Sequence, residues 1–270
     1  MADKSIKNIK TVLITGGSSG LGLEISKLFA KDGYRLLWVS KSQDEIDVAL
    51  PYFKSMYPDI EIQSLVIDLS NMESARKVYE WSNAIGPLQV LVNNAGFGTY
   101  GYLHEIPFEK ELQMINLNVI NLYQLTRLFL NDMMQRNEGK IMNISSNTSF
   151  QPVPMMSTYA ATKAFVKHFS QSVSDELKYK KSKVTLTVVC PPAIKNTKFQ
   201  AEANMNHIRT FDSILTATPE EVARDAYDGT MKGKSFVVAG WKLRNIMWLY
   251  KLLPDFILKE ILKRELQKTN

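Results

Sequence analysis

Tyr159 and Lys163 stand four residues apart in a stretch whose pattern predicts a helix beginning near Ser157. That spacing puts both side chains on one helical face, one turn apart. A phenol so placed can exchange a proton with a bound oxygen, and a neighbouring ammonium favours the anionic form of the phenol and eases the proton's departure. Upstream, Ser146 stands where the apolar run from Ile141 ends, and its hydroxyl could hold the same oxygen by hydrogen bonding. A second Tyr-x-x-x-Lys pair, Tyr179 and Lys183, fails on context, because Lys183 opens the next predicted strand and the two residues cannot share a helical face. The first pair carries meaning only if the rest of the chain builds a site around it.

The elements that would position it alternate regularly. Thr11 to Thr15 is an apolar run too short for a helix, followed at once by Gly16-Gly17-Ser18-Ser19-Gly20-Leu21-Gly22 and an amphipathic helical pattern from Leu23 to Lys31. Strand, glycine turn and helix start form a phosphate-binding arrangement: glycines let the backbone approach a pyrophosphate, and the unpaired N–H groups of the helix start face it. Arg35 to Ser40 reads as the second strand, and Ser42 with Glu45 is a capping-box signal for the helix after it. Glu61 to Ile67 is the third strand, closed by Asp68 and Leu69; Asn71 to Ala84 is helical until Gly86-Pro87 breaks it. Leu88 to Val92 is the fourth strand, and Asn93-Asn94-Ala95-Gly96 leads to a long helical pattern from about Phe108 to Met134. Lys140 to Ile144 and Val184 to Val189, on either side of the Tyr159 helix, are the fifth and sixth strands.

Such alternation implies right-handed crossovers and an α/β fold, a doubly wound parallel sheet covered on both faces. Ligands bind these sheets beyond the carboxyl ends of the strands. The Gly16 turn, Asp68, Asn93 to Gly96, Ser146 and the Pro191-Pro192 turn all follow strands, so they converge on that edge. No repeat or linker divides the chain, which reads as one domain over 1–240 with a basic amphipathic helical extension over 241–270.

Composition narrows the setting. The 270 residues are 45% apolar and 22% charged, ordinary for a globular protein. The net charge of +6 suits anionic ligands or an anionic membrane surface but is too dispersed to argue for nucleic acid. Cys190 is the only cysteine, so no intrachain disulfide can form and a reducing, cytoplasmic setting is expected. It ends an apolar strand and reads as a small buried thiol. His104, His168 and His207 are scattered without partners at ligand spacing, and no metal site is expected.

Thr15-Gly16-x-x-x-Gly20-x-Gly22, Asp68, Asn93-Asn94-Ala95-Gly96, Asn118, Ser146, Tyr159 and Lys163 together resemble the classical short-chain dehydrogenases/reductases, in the order and spacing of that family and over roughly residues 8–240. The resemblance implies a Rossmann-type sheet of order 3-2-1-4-5-6-7 and a nicotinamide-dependent oxidoreductase. It implies that Tyr159 donates a proton to a substrate carbonyl oxygen, that Ser146 orients the carbonyl, that Lys163 tunes the tyrosine and binds the nicotinamide ribose, and that Asn118 holds a proton-relaying water. Asn116 and Asn121 lie on the same helix, but the Asn118-Val119 step fits the family pattern. Gly16, Ser18, Ser19, Gly20, Leu21 and Gly22 would face the pyrophosphate, with Asp68, Leu69, Asn94, Ala95 and Gly96 on the adenosine side. After the sixth strand the usual Pro-Gly is absent: the chain reads Pro191-Pro192-Ala193-Ile194, with Thr197 in reach of the nicotinamide amide.

Cofactor choice turns on the end of the second strand. Relatives that use NAD place an acidic residue there to bind the ribose hydroxyls, whereas this chain has Ser40-Lys41-Ser42. A lysine and two hydroxyls suit a 2′-phosphate, so NADP(H) is expected over NAD(H), although the usual extra basic residue of the glycine turn is replaced by Ser18 and Ser19.

The loops expected to frame the substrate carry Phe97, Tyr100, Tyr102, Phe150, Val153, Met155, Met156, Phe199, Met205, Ile208 and Phe211. Such an apolar pocket predicts a lipophilic carbonyl or alcohol. From Trp241 onward, apolar residues such as Ile246, Trp248, Leu249, Phe256 and Leu262 alternate with Lys242, Arg244, Lys251, Lys259 and Arg264. Charges interrupt every apolar run, so nothing here spans a bilayer. Two short basic helices in this tail could lie peripherally on a membrane, cover the substrate mouth or meet a second subunit. The two long helices after the fourth and fifth strands predict a homodimer or homotetramer. The competing function is a non-catalytic NADP(H)-binding sensor or scaffold, against which the joint presence of Ser146, Tyr159 and Lys163 argues.

Overall fold

The computed structural model describes residues 9–195, 197–205, 208–211, 213, 215–250, 257 and 266. The second of the two expected tail helices, beyond Pro254, lies outside the described residues.

Strand β1 (Thr11–Thr15) is buried along its whole length, as an unbroken run in the middle of a parallel sheet must be. It is followed by α1 (Gly20–Lys31), β2 (Arg35–Ser40), α2 (Gln43–Met56), β3 (Ile62–Val66), α3 (Ser74–Ile85) and β4 (Val90–Asn93). Then come α4 (Phe108–Ile115), α5 (Leu122–Arg136), β5 (Lys140–Ile144), α6 (Ser157–Tyr179), β6 (Thr185–Cys190), α7 (Lys198–Glu202), α8 (Pro219–Met231), β7 (Phe236–Val238) and α9 (Trp241–Tyr250). The seven strands form one sheet in the order β3-β2-β1-β4-β5-β6-β7, all neighbours parallel.

Alternation along β1 divides the core. Val12 and Ile14 point to one face and pack with Ile25 and Phe29 of α1, Trp38 and Val222 of α8. Leu13 points to the other and packs with Val78 of α3, Leu125 and Phe129 of α5, and Leu177 of α6. Each such side chain taken out of water contributes about 1.5–3 kcal/mol. The register aligns the strand ends: Thr15 lies beside Val39, Asn93 beside Asn143, and Ile144 beside Val189. The loops that follow therefore open on one edge.

The predicted helix from Phe108 to Met134 runs as one path of three parts. Between α4 and α5 the turn over Asn116–Asn121 widens to π-helix, a feature that often marks functional positions. Cys190 is fully buried, packed among Leu122, Val166 and Val188.

Candidate active site

The glycine turn is shaped by two close approaches. Gly16 takes a left-handed φ of 67°, and a Cβ on Gly22 would lie 2.0 Å from the Gly16 carbonyl oxygen, so α1 can start against the turn only with glycine there. Thr15 ties this turn to the next strand: its hydroxyl accepts from the backbone N–H of Asn94 and of Ala95, each at 2.9 Å. Asn94 Nδ2 donates to the Thr15 carbonyl at 2.9 Å. Behind them, Asn93 Nδ2 donates to Thr126 Oγ1 at 3.0 Å and to Asn143 Oδ1 at 2.9 Å, and Asn143 Nδ2 donates to Ser170 at 2.9 Å. This buried polar chain joins β4, β5, α5 and α6 and fixes the strand ends that carry the site; apart from Asn93, which opens the Asn-Asn-Ala-Gly turn, its members had no motif to announce them.

Ser146, Tyr159 and Lys163 come together at the end of β5 and the start of α6, all buried. Lys163 Nζ donates to the Ile144 carbonyl at 3.0 Å, and Ser145 Oγ donates to the Lys163 carbonyl at 2.7 Å. Nζ lies 5.8 Å from the centre of the Tyr159 ring. The electrostatics differ from the sequence expectation. Burial pushes the Tyr159 phenol up to about 12, with a hydrogen bond to Ser146 acting the other way, and burial pushes Lys163 down to about 8. Desolvation outweighs the Ser146 hydrogen bond, so the tyrosine is held in its proton-donating form.

Asn118 sits in the π turn, 1% exposed, and donates from Nδ2 to the Phe97 carbonyl at 3.0 Å and to Thr162 Oγ1 at 3.2 Å. Its Oδ1 is buried without a partner in the protein. A Cβ on Gly96 would meet that Oδ1 at 2.9 Å and Lys163 Nζ at 3.3 Å, so Gly96 keeps a narrow space in which both polar groups present themselves. Asn121 is also buried, whereas Asn116 is only partly so.

One cavity of about 910 Å³ unites these groups. Its walls include Gly16, Ser19, Gly20, Leu21, Ser40, Lys41, Asp68, Leu69, Asn94, Ala95, Gly96, Ser146, Tyr159, Lys163, Pro192, Ala193, Ile194 and Thr197. Ser18, Gly22 and Asn118, also expected at the site, stand outside the lining: Gly22 packs against the Gly16 carbonyl, and Ser18 is buried with its hydroxyl on Glu45, which does line the cavity. The Pro-Pro loop follows a defined path, since Asn147 N–H donates to the Pro191 carbonyl at 2.8 Å and a bridge pairs Ile194 with Ala217. An orphaned Asn118 oxygen, glycines where a Cβ would close the turn, and a strand edge of hydroxyls and amides fit a dinucleotide along this cavity.

At the end of the cavity lined by Ser40 and Asp68, Lys41 is not free. Its ammonium pairs with Asp68 at 2.8 Å. Burial alone would raise the Asp68 carboxyl, but hydrogen bonds from Lys41 and Ser70 outweigh it and hold the group below its ordinary value. Lys198, which the sequence reading did not single out, and Glu45, read there only as a helix-capping residue, also line this end. Ser42 caps α2 by accepting from Glu45 N–H at 3.4 Å, while the Glu45 side chain turns into the cavity.

The opposite end is apolar. Val153, Met156, Met205, Ile208 and Phe211 pack with Tyr159, and Phe97, Tyr100 and Phe199 lie against them. Met114 and Leu266 join this cluster and were missed by the loop-based reading. Three expected members lie elsewhere: Tyr102 is exposed, Met155 takes a left-handed turn conformation, and Phe150 packs towards Phe236 on the far side. Tyr100 Oη donates to the Leu266 carbonyl at 2.7 Å, bringing one residue of the tail onto the apolar wall. Among the described residues no helix is long and apolar enough to cross a membrane.

The sequence pattern of the family described as short chain dehydrogenase matches residues 10–207. The chain is similar to a very-long-chain 3-oxoacyl-CoA reductase of Rattus norvegicus, 34% identical over 172 residues, covering 62% of this chain and 54% of that protein. It thus spans about half the length of that relative. A protein of the same description from Macaca fascicularis is 31% identical over 254 residues, 92% of this chain and 77% of its own. Among solved structures, a short-chain dehydrogenase from Sphingobium yanoikuyae in complex with NADPH superposes with a TM-score of 0.77 at 26% identity, covering 85% of this chain and 87% of that one.

Proposed function

The chain belongs to the short-chain dehydrogenase family, and from that premise we propose that it reduces a carbonyl of a long-chain acyl substrate, of the 3-oxoacyl thioester class, using NADP(H) in preference to NAD(H). The observation that carries this reading is the order of groups along one cavity: glycine turn and hydroxyls at one end, the buried Ser146, Tyr159 and Lys163 in the middle, and the Met156, Met205 and Phe211 wall at the other. The names of the relatives supply the acyl class. Ser40 and Lys41 at the end of β2, with Ser19 and Lys198 nearby, support the phosphorylated cofactor.

Bound nicotinamide would supply the hydride. Gly16 to Gly22 would hold its pyrophosphate, Asp68, Leu69 and Asn94 to Gly96 its adenosine side, Lys163 its ribose, and Thr197 its amide. Tyr159, kept protonated by burial, would donate its proton to the substrate oxygen as charge develops there; an alkoxide is a far stronger base than a phenolate, so this transfer runs downhill. Ser146 would hold the same oxygen by a hydrogen bond. Lys163, whose proton burial loosens, is suited to reprotonate the tyrosine, with the free Oδ1 of Asn118 positioning the relay. Phe199, whose ring centre lies 5.4 Å from that of Tyr159, would close over the reacting groups and exclude water.

We also propose that copies of the chain associate through α5 and α6, where Tyr123 and Phe165 leave aromatic surface exposed. The test of function is NADPH oxidation against 3-oxoacyl thioesters of increasing length. Turnover rising with acyl length supports the reading; activity confined to short polar ketones overturns its substrate half.

A further inference from the structure

The adenosine end of the cavity holds a carboxylate where a dinucleotide phosphate is expected. Glu45 Oε2 accepts from the hydroxyls of Ser18 at 3.4 Å, Ser19 at 3.3 Å and Ser40 at 3.3 Å. Its Oε1 accepts from Lys198 Nζ at 2.7 Å. The donors come from three separate elements: the glycine turn, the end of β2 and α7. Burial alone would raise the Glu45 carboxyl, yet the hydrogen bonds from Lys198, Ser19 and Ser40 outweigh it and keep the group below its ordinary value. Three other charged groups stand near: Lys41 paired with Asp68, and Glu202 one turn along α7 from Lys198. Glu202 is pushed up, by burial first and then by the charge of Glu45.

Three hydroxyls and an ammonium converging on one anion form the donor set a phosphate monoester requires, and the doubly charged phosphate makes the stronger partner for all four. We propose that Glu45 is an internal stand-in for the 2′-phosphate of NADPH: the phosphate displaces the Glu45 carboxylate from Ser18, Ser19, Ser40 and Lys198, and Lys198 becomes a cofactor ligand. The two anions cannot share the cradle, so Glu45 lowers NADPH affinity below what the donors alone would give. NADH presents a ribose hydroxyl at this point, which can donate to Glu45 without displacing it. The exchange also ties α7 to the cofactor. Phe199, next to Lys198, packs on Tyr159, so the phosphate and the reacting tyrosine would be bridged by one short helix.

This inference rests on the NADP(H) reading, and the test separates the two. Dissociation constants for NADPH and NADH are measured by fluorescence titration in the wild-type protein, Glu45→Gln, Lys198→Met and the double variant. The expected results are NADPH bound about tenfold more tightly by Glu45→Gln, with NADH changed less than about twofold, and NADPH bound about tenfold more weakly when Lys198→Met is added to Glu45→Gln. A ratio of the two constants that stays within about twofold of wild type across all variants overturns the inference, as does an equal change for both cofactors, which would mark a merely structural ion pair. Tighter binding of NADH than NADPH by the wild type would overturn the cofactor preference alone; a selective response of NADPH in the variants would still establish the exchange.

Discussion

Lys163 Nζ donates to the backbone carbonyl of Ile144 at 3.0 Å, so the lysine that shares a helical face with Tyr159 is anchored to the last residue of β5. The tether sets where the ammonium can lie, and burial sets how readily it gives up its proton. Lys163 is pushed down to about 8 from an ordinary 10.5.

Activity and stability should therefore respond oppositely to pH. The ammonium is complete below the lowered value and is lost as pH rises through about 8, so kcat/KM for carbonyl reduction should fall above that pH. Between about 8 and 10.5 the unfolded chain binds more protons at this lysine than the folded one, so this group's contribution makes folding more favourable as pH rises across the window. A pH–rate profile and thermal melts of wild type and Lys163→Met check both signs. A melting difference between the two proteins that does not vary from pH 7 to about 10.5 would contradict the burial of a titrating lysine.

Asn118 and Asn121 are both buried in the π turn, but Asn118 is the one that donates to the carbonyl of Phe97, a cavity residue, and to Thr162. Asn118→Ala should lower kcat about tenfold or more and cost about 1–3 kcal/mol of stability through the partners left unpaired. Asn121→Ala should lower the melting temperature and leave kcat within about twofold. Equal losses of kcat in the two variants would remove Asn118 from the relay.

The contact between Tyr100 and Leu266 brings one residue of the tail into the apolar cluster at the proposed acyl end. Tyr100→Phe removes the hydrogen bond and Leu266→Ala removes the side chain; both should raise KM for the longest acyl substrates several-fold more than for short ones, a difference of about 1–3 kcal/mol at most. A uniform rise in KM across chain lengths would assign the contact to folding. Co-sedimentation with anionic liposomes, comparing the full chain with one ending near residue 240, tests the membrane role of the same tail independently.

Much of this arrangement was legible in the sequence because the sheet edge collects whatever follows each strand. Apolar runs such as Thr11–Thr15 and Lys140–Ile144 mark the strands, and Gly16, Asn94, Ser146 and Pro191 follow them. The resemblance supplied the strand order, which periodicity alone does not. Other features depend on rotamers and tertiary approach. The Ser42–Glu45 spacing is the same whether the glutamate returns to its own helix start or, as here, turns to Ser19 and Lys198. Helical periodicity hides the single wide turn at Asn118. Phe150 and Phe97 look equally fit to line a pocket, yet a short 3-10 turn carries Phe150 to the other side of α6. Leu266 is distant in sequence from Tyr100 and from the apolar cluster it joins, and nothing local signals that contact.

The most direct test of the central claim is single-turnover reduction of a long-chain 3-oxoacyl thioester by NADPH in wild type and Tyr159→Phe. Loss of about 10²- to 10⁴-fold in rate, with the NADPH dissociation constant within a few-fold of wild type, is the predicted result. A Tyr159→Phe protein that turns over at close to the wild-type rate would contradict the assignment of the buried phenol as proton donor.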